Sequence, residues 1–169
     1  MDFETFSAGP CPVARALLRV GDAWSMMILR DAGLGMTRFE QFRSRLGIAP
    51  NILTRRLAAL TEHGMLEKRR YSQRPPRDEY VLTDKGREFV PILAAIGAWG
   101  ARHHGEGGTS HMEDAASGTR VEAVVADRAT GRLLADIDVR MVLPDDGETI
   151  ARRPGLDPGP LTGPSLPIG

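Results

Sequence analysis

The stretch that most restricts the fold of this chain is residues 37–83, where two short helical patterns precede an arginine-rich hairpin pattern. Ten Lys or Arg and five Asp or Glu lie between Arg38 and Glu79, a net charge of +5. The whole chain is formally neutral, with 22 basic and 22 acidic residues, so the remainder sums to −5. A neutral protein with one cationic module is polarised, which favours a polyanion such as DNA as its partner.

Proline, glycine and capping residues divide the first part of the chain into helices. Pro12 suits the first turn of one helix, and Asp22 can cap the next. Thr37 followed by Glu40 three residues later is the pattern of a capping box, which predicts a third helix beginning there. Thr83 is predicted to cap a long last helix.

The helix that begins at Pro50 is predicted to have two distinct faces. Leu53, Leu57 and Leu60 form an apolar stripe at helical spacing. The opposite, solvent-facing side then carries Asn51, Thr54, Arg55 and Ala58. In a helix-turn-helix the second helix enters the major groove and presents such side chains to base edges. Arg55 can make a bidentate contact to guanine, and Asn51 can pair with adenine.

A hairpin is predicted after this helix, with strands at residues 65–71 and 79–82 and a loop at 72–78. Its arginines could enter a minor groove or hold phosphates, as the wing of a winged helix-turn-helix does. The residues predicted to contact DNA are Arg38, Pro50, Asn51, Thr54, Arg55, Arg70, Arg74 and Arg77, with Arg69 alongside.

Three other readings of these residues have less support. A charge run alone is usually a solvated surface, but here it coincides with a helix-turn-helix pattern and a hairpin. A winged helix that binds proteins without contacting DNA is the alternative, and such a module should lack outward arginines on its second helix. No catalytic signature surrounds Cys11 or the histidines, and no glycine-rich phosphate loop is present. The chain is therefore predicted not to be an enzyme and to have no catalytic residues.

Several segments, taken in order, resemble the HxlR-type winged helix-turn-helix regulators over roughly residues 10–102. They are residues 11–17, 21–30, 38–42, 53–57, 60–64 and 76–86. The resemblance implies a bacterial, dimeric transcriptional regulator of operators with two half-sites, and in several members a response to oxidants or electrophiles. It also implies that the first and last helices form the dimer. The predicted dimerisation residues are Leu17, Phe89, Ile92, Leu93, Ile96 and Trp99.

Cys11, the single cysteine, is predicted at the N-cap of the first helix. Free backbone N–H groups and the helix dipole at that position favour a thiolate. The resemblance adds that this Cys-Pro position is the redox-sensing thiol in some members. A switch would then need a bridge between subunits or a small-molecule adduct. The alternative, a small buried hydrophobic residue near the dimer seam, remains open.

The predicted fold class is mainly α, an α+β winged helix-turn-helix, with a small β-rich C-terminal extension. The predicted domains are a DNA-binding and dimerisation domain at 1–104, a β-hairpin extension at 105–153 and a disordered tail at 154–169. In the extension, residues 121–126 and 132–143 flank a turn at 127–131, and no internal repeat is evident. Histidine spacing and the absence of a Cys-x-x-Cys pair predict no metal and no cofactor.

Other features of the sequence predict where the protein acts and which partners it binds. One cysteine, no long apolar run and an acidic N-terminus predict a cytoplasmic, nucleoid-associated protein that does not enter membranes. Its partners are predicted to be double-stranded DNA, a second copy of the chain and a small-molecule or electrophile effector. Repression is favoured over activation, because a dimer on a promoter excludes polymerase without further contacts.

Overall fold

The computed structural model describes residues 9–139. Seven main elements occur in the order α1 Pro12–Val20, α2 Ala23–Gly33, α3 Phe39–Leu46, α4 Pro50–Glu62, β1 Leu66–Gln73, β2 Pro76–Leu82 and α5 Asp84–His103. Two short strands, β3 Met112–Glu113 and β4 Arg120–Val121, and a 3₁₀ turn, Leu134–Asp136, follow. The chain divides into two compact units between Ile96 and Gly97. The predicted ranges 1–104 and 105–153 stay predictions, and residues 154–169 lie outside the described residues.

The first two helices begin where the sequence predicts. Cys11 is the N-cap of α1 and Pro12 occupies its first turn. Asp22 caps α2, because its carboxylate accepts a hydrogen bond from Ser25 N at 3.1 Å. Both helix starts are confirmed.

The predicted capping box at the start of α3 is wrong by one residue. The N-cap is Arg38 rather than Thr37, so Glu40 lies one position too early to reach back. Gln41 has this role instead: its Oε1 accepts hydrogen bonds from Arg38 N at 2.9 Å and Thr37 N at 3.0 Å. Glu40 forms an ion pair with Arg43, whose Nε lies 3.2 Å from Glu40 Oε2.

The core of the first unit is built where α2, α3 and α4 meet. The side chains that are wholly buried there are Ile28, Leu29, Phe42, Leu53, Leu57 and Leu60. The apolar stripe predicted for α4 is therefore confirmed, since Leu53, Leu57 and Leu60 have no exposed surface. Gly47, with φ +60°, turns the chain between α3 and α4 in a left-handed conformation that glycine tolerates best.

The hairpin is longer than predicted and its loop is shorter. β1 and β2 are antiparallel and remain paired as far as Gln73 and Pro76, so only Arg74 and Pro75 form the turn. The predicted loop at 72–78 is wrong because the ladder continues through it, with Ser72 opposite Arg77. Tyr71 is an extra residue on β1, a β-bulge between Arg70 and Ser72.

Thr83 lies between β2 and α5, and its side chain forms hydrogen bonds that hold this junction. Its Oγ1 accepts a hydrogen bond from Gly86 N at 3.1 Å, which confirms the predicted cap. The same hydroxyl donates to Gly64 O at 2.6 Å. α5 then continues through Pro91, and Phe89 and Leu93 pack against the core.

In the second unit, two turns have the same construction. Gly118 N donates to Asp114 O at 2.7 Å, and Gly131 N donates to Asp127 O at 2.8 Å. The backbone N–H of Ala116 and the Ser117 hydroxyl lower the pKa of Asp114. The Thr130 hydroxyl and its backbone N–H lower the pKa of Asp127 in the same way. The sequences Asp-Ala-Ala-Ser-Gly and Asp-Arg-Ala-Thr-Gly therefore form turns of the same kind.

The predicted turn at 127–131 is confirmed, but its flanking strands are reduced to one bridge, Ala126 with Leu133. The hairpin of β3 and β4 in the second unit was not predicted. Each of its strands has only two residues, which is too short to show an alternating pattern. Residues 140–143 of the second predicted strand lie outside the described residues.

Candidate nucleic-acid interface

The outward face of α4 has the side chains that the sequence predicts there. Its exposed residues include Pro50, Asn51, Thr54, Arg55 and Ala58. Thr54 Oγ1 donates to Pro50 O at 2.8 Å within the helix, so its oxygen can still accept a hydrogen bond. This face holds donors and acceptors of the kind that read base edges.

Ion pairs divide the ten basic side chains of the cationic module into two groups. Six lie within ion-pair distance of a carboxylate: Arg43, Arg45, Arg56, Lys68, Arg69 and Arg70. Four have no acidic partner among residues 9–139: Arg38, Arg55, Arg74 and Arg77. All four belong to the predicted DNA-contact set. An arginine without an internal partner keeps its donors available for phosphate or base oxygens.

Basic side chains in the stem of the hairpin form ion pairs within the hairpin. Arg70 Nε donates to Asp78 Oδ1 at 2.5 Å, and Lys68 Nζ lies 3.0 Å from Asp78 Oδ2. The hydrogen bond from Arg70, with that from Lys68, lowers the pKa of Asp78. The same contact raises the pKa of Lys68. Arg70 is thus engaged within the hairpin, and its predicted contact with DNA stays a prediction.

Arg38 joins the start of α3 to the hairpin. Its guanidinium carbon lies 4.6 Å from the centre of the Tyr71 ring, a cation–π contact. Thr37 O accepts a hydrogen bond from Tyr80 N at 2.7 Å, and Arg38 forms a β-bridge with Glu79. Arg38 is therefore joined to the edge of the two-stranded hairpin by a single β-bridge.

Tyr71 is a candidate site residue that the sequence did not indicate. It is partly exposed, and the bulge gives it a place in β1 that no strand pattern predicts. A bulge adds one residue without a sequence signal of its own, apart from glycine in some types. The capping role of Gln41 was also missed, because Thr37 and Glu40 have the spacing of a capping box one residue earlier.

The residues predicted for dimerisation fall into two groups. Leu17 of α1 and Ile92, Ile96 and Trp99 of α5 are 42%, 50%, 48% and 52% exposed. Phe89 and Leu93 are partly buried against the core of their own chain. The first group is available for contact with a second molecule, whereas the second helps to hold α5 in place.

Cys11 is partly exposed at the start of α1, and its side chain makes no capping hydrogen bond. Among residues 9–139, no three His, Cys, Asp or Glu side chains are grouped as metal ligands would be. No helix in the same range has the length and hydropathy of a transmembrane span.

Comparison with known proteins agrees with this architecture. Residues 19–107, slightly more than half of the 169-residue chain, match the profile of the HxlR-like helix-turn-helix family. An uncharacterised HTH-type transcriptional regulator of Mycobacterium tuberculosis, Rv3095, is 41% identical over 88 residues, which are 52% of this chain. The matched region spans only 56% of the length of Rv3095.

Two solved structures are also similar. The crystal structure of PA1607, a candidate transcription factor, has 41% identity and a TM-score of 0.70, and the match covers 81% of this chain and 97% of that one. The redox regulator HypR in its oxidised form has 33% identity and a TM-score of 0.52, with 55% and 97% covered. The predicted winged-helix fold is thereby confirmed, and the chain belongs to the HxlR-like helix-turn-helix family.

Proposed function

We propose that this protein is a dimeric, sequence-specific DNA-binding transcriptional regulator, and that it acts as a repressor. The observation that carries the proposal is the location of the arginines that have no acidic partner within residues 9–139. Arg55 lies on the exposed face of α4, Arg38 at the start of α3, and Arg74 and Arg77 at the hairpin tip. α4 enters the major groove in this arrangement, and the tip contacts the minor groove or phosphates.

The two kinds of contact should have different effects on binding. Arg55, with Asn51 and Thr54 beside it, can read base edges, and a good bidentate pair contributes about 1–3 kcal/mol of discrimination. Arg74 contacts the phosphate backbone of the DNA, so its replacement should weaken binding to all DNA sequences alike. A winged helix that binds only proteins would show neither effect.

The test uses a duplex that the wild-type protein selects from a random library, together with an unselected duplex, across a range of salt concentrations. Arg55→Ala should weaken binding to the selected duplex far more than to the unselected one. Arg74→Ala should weaken both equally and make the salt dependence less steep. Arg128→Ala is the matched control, because Arg128 is exposed, lies in the second unit and has no acidic partner among residues 9–139. Equal affinities for all four proteins would exclude the proposed interface.

The dimer is proposed from the apolar side chains left exposed on α1 and α5. Single apolar residues on a surface are ordinary, but Ile92 and Ile96 are four residues apart on one face of a helix. Sedimentation equilibrium of the full chain measures the mass in solution. A monomer at all concentrations would refute this part of the proposal, and the operator would then need no second half-site.

The signal is proposed to be an oxidant or electrophile that reacts at Cys11. The likeness to HypR, which is a redox regulator, supports this, as does the partly exposed place of the thiol at a helix N-terminus. A thiolate is the reactive form of cysteine, and helix N-termini favour it. Cys11→Ser should leave DNA affinity intact and abolish its change on treatment with peroxide or hypochlorite. An unchanged response in that variant would exclude Cys11 as the sensor.

A further inference from the structure

Two carboxylates of the α2 segment face arginines from the two helices of the helix-turn-helix. Asp22, the N-cap of α2, has its Oδ1 3.1 Å from Nε of Arg56 in α4. Asp31, near the end of α2, has its Oδ1 3.5 Å from Nε of Arg45 in α3. One end of α2 is thus linked by charge to the proposed recognition helix, and the other end to the helix before it.

The carboxylate that contacts Arg56 is held in a fixed position at the start of α2. The same Asp22 oxygen accepts the capping hydrogen bond from Ser25 N at 3.1 Å, so the carboxylate is held by α2 itself. Nε of Arg56 is buried and has no aligned hydrogen-bond acceptor among residues 9–139. The 3.1 Å contact is therefore an ion pair without hydrogen-bond alignment. The Asp22 charge is what offsets the cost of burying that part of the guanidinium.

The contact at the other end depends on a carboxylate with no exposed surface. Asp31 is wholly buried, and its Oδ1 receives hydrogen bonds from Arg30 Nε at 2.8 Å and Nη2 at 2.6 Å. Its Oδ2 has no hydrogen-bond partner among residues 9–139. A buried carboxylate in this state needs nearby positive charge, and Arg45 supplies a second cation from α3.

We propose that Arg56 and Arg45 are positioning residues, which fix α4 and α3 on α2 and do not contact DNA. Asp22 and Asp31 are their anchors. This inference rests on the proposed function, which it deepens by assigning different roles to adjacent arginines of one helix. Arg55 and Arg56 point about 100° apart on α4, so one faces outward while the other turns towards α2.

The two roles can be separated by the salt dependence of DNA binding. Each phosphate contact contributes about 0.9 to the slope of log K against log salt, whereas a positioning residue contributes nothing to it. Asp22→Asn is the sharpest variant, because asparagine caps a helix as well as aspartate does but has no charge. The other variants are Arg56→Gln and the double variant Asp22→Asn with Arg56→Gln. Arg74→Gln is the control for a phosphate contact.

Binding is measured on the duplex selected by the wild-type protein, and unfolding by urea is measured in parallel. Arg74→Gln should reduce the slope by about 0.9, because Arg74 is proposed to contact phosphate. Arg56→Gln and Asp22→Asn should each leave the slope unchanged and weaken binding about two- to fivefold. The double variant should be no weaker than either single one, because both remove the same contact. Arg45→Gln should likewise leave the slope unchanged while weakening binding.

A reduced slope for Arg56→Gln would show that Arg56 touches phosphate and would overturn the assignment. Additive effects in the double variant, or no effect of Asp22→Asn, would also overturn it. If the wild-type protein bound no DNA at all, the proposed function would fail instead. The urea midpoints would then test only the ion pair between Asp22 and Arg56. Additive shifts of the midpoint in the double variant would refute this contact between α2 and α4, and non-additive shifts would support it.

Discussion

Gly86 lies in the first turn of α5, where the helix begins against the root of the hairpin. A Cβ added at this position would overlap the carbonyl oxygen of Met65 and lie 2.9 Å from Leu82 Cδ2. The overlapping atom belongs to the backbone, so no rotation of a side chain can relieve it. Replacing Gly86 by alanine must therefore move the start of α5 away from the hairpin.

The expected magnitude combines two opposing terms. Alanine is favoured over glycine within a helix by about 1 kcal/mol. Overpacking costs about 1–3 kcal/mol, and a backbone overlap belongs at the upper end. We therefore expect Gly86→Ala to lower the free energy of unfolding by about 2 kcal/mol.

The same helix offers controls for the same substitution. A Cβ at Gly97 or at Gly100 would meet no atom within 4 Å among the described residues. Gly97→Ala should therefore raise the free energy of unfolding by up to about 1 kcal/mol. The same gain is expected for Gly100→Ala only in the monomer, because Gly100 lies four residues after Ile96 on the proposed dimer face. Urea unfolding at one fixed protein concentration measures all three, because the stability of a dimer depends on concentration. A Gly86→Ala variant as stable as the wild type would refute the close approach of α5 to Met65.

Two further predictions concern the hairpin. Tyr71→Ala should weaken DNA binding about two- to fivefold, because it removes the ring beneath Arg38, whereas Tyr71→Phe should bind like the wild type. Wild-type affinity in the alanine variant would show that the stacking has no part in binding. The second prediction follows from the pKa of Asp78, which Arg70 and Lys68 hold below its unfolded value. The stability from this contact is present above about pH 4 and is lost as the pH falls through the lowered pKa. Asp78→Asn should thus be less stable than the wild type near neutral pH, and urea midpoints of the two proteins should converge in acid. A constant difference at all pH values would contradict that assignment.

The helix-turn-helix could be predicted from the sequence because local signals agree there. Pro50 starts α4, and the leucines at helical spacing turn one face inward, which leaves Arg55 outside. These features depend on residues within a few positions of each other. Local geometry is sufficient to place them.

The contacts between elements could not be predicted in the same way. Asp22 and Arg56 are distant in sequence, and their contact depends on how α2 and α4 cross. The stacking of Arg38 on Tyr71 depends on a bulge that has no distinct sequence pattern. Thr37 and Glu40 offered a plausible cap, but Gln41 has the correct position for a helix that begins one residue later.

The bulge at Tyr71 has a consequence for how this hairpin can vary. Side chains on a strand alternate between two faces, so one additional residue reverses the facing of every position between it and the turn. Deleting that single residue would exchange the two sides at the tip, whereas residues added at Arg74–Pro75 would lengthen the tip without inverting the strand below. Among related proteins, a difference of one residue near position 71 should therefore alter DNA preference more than a longer insertion in the turn.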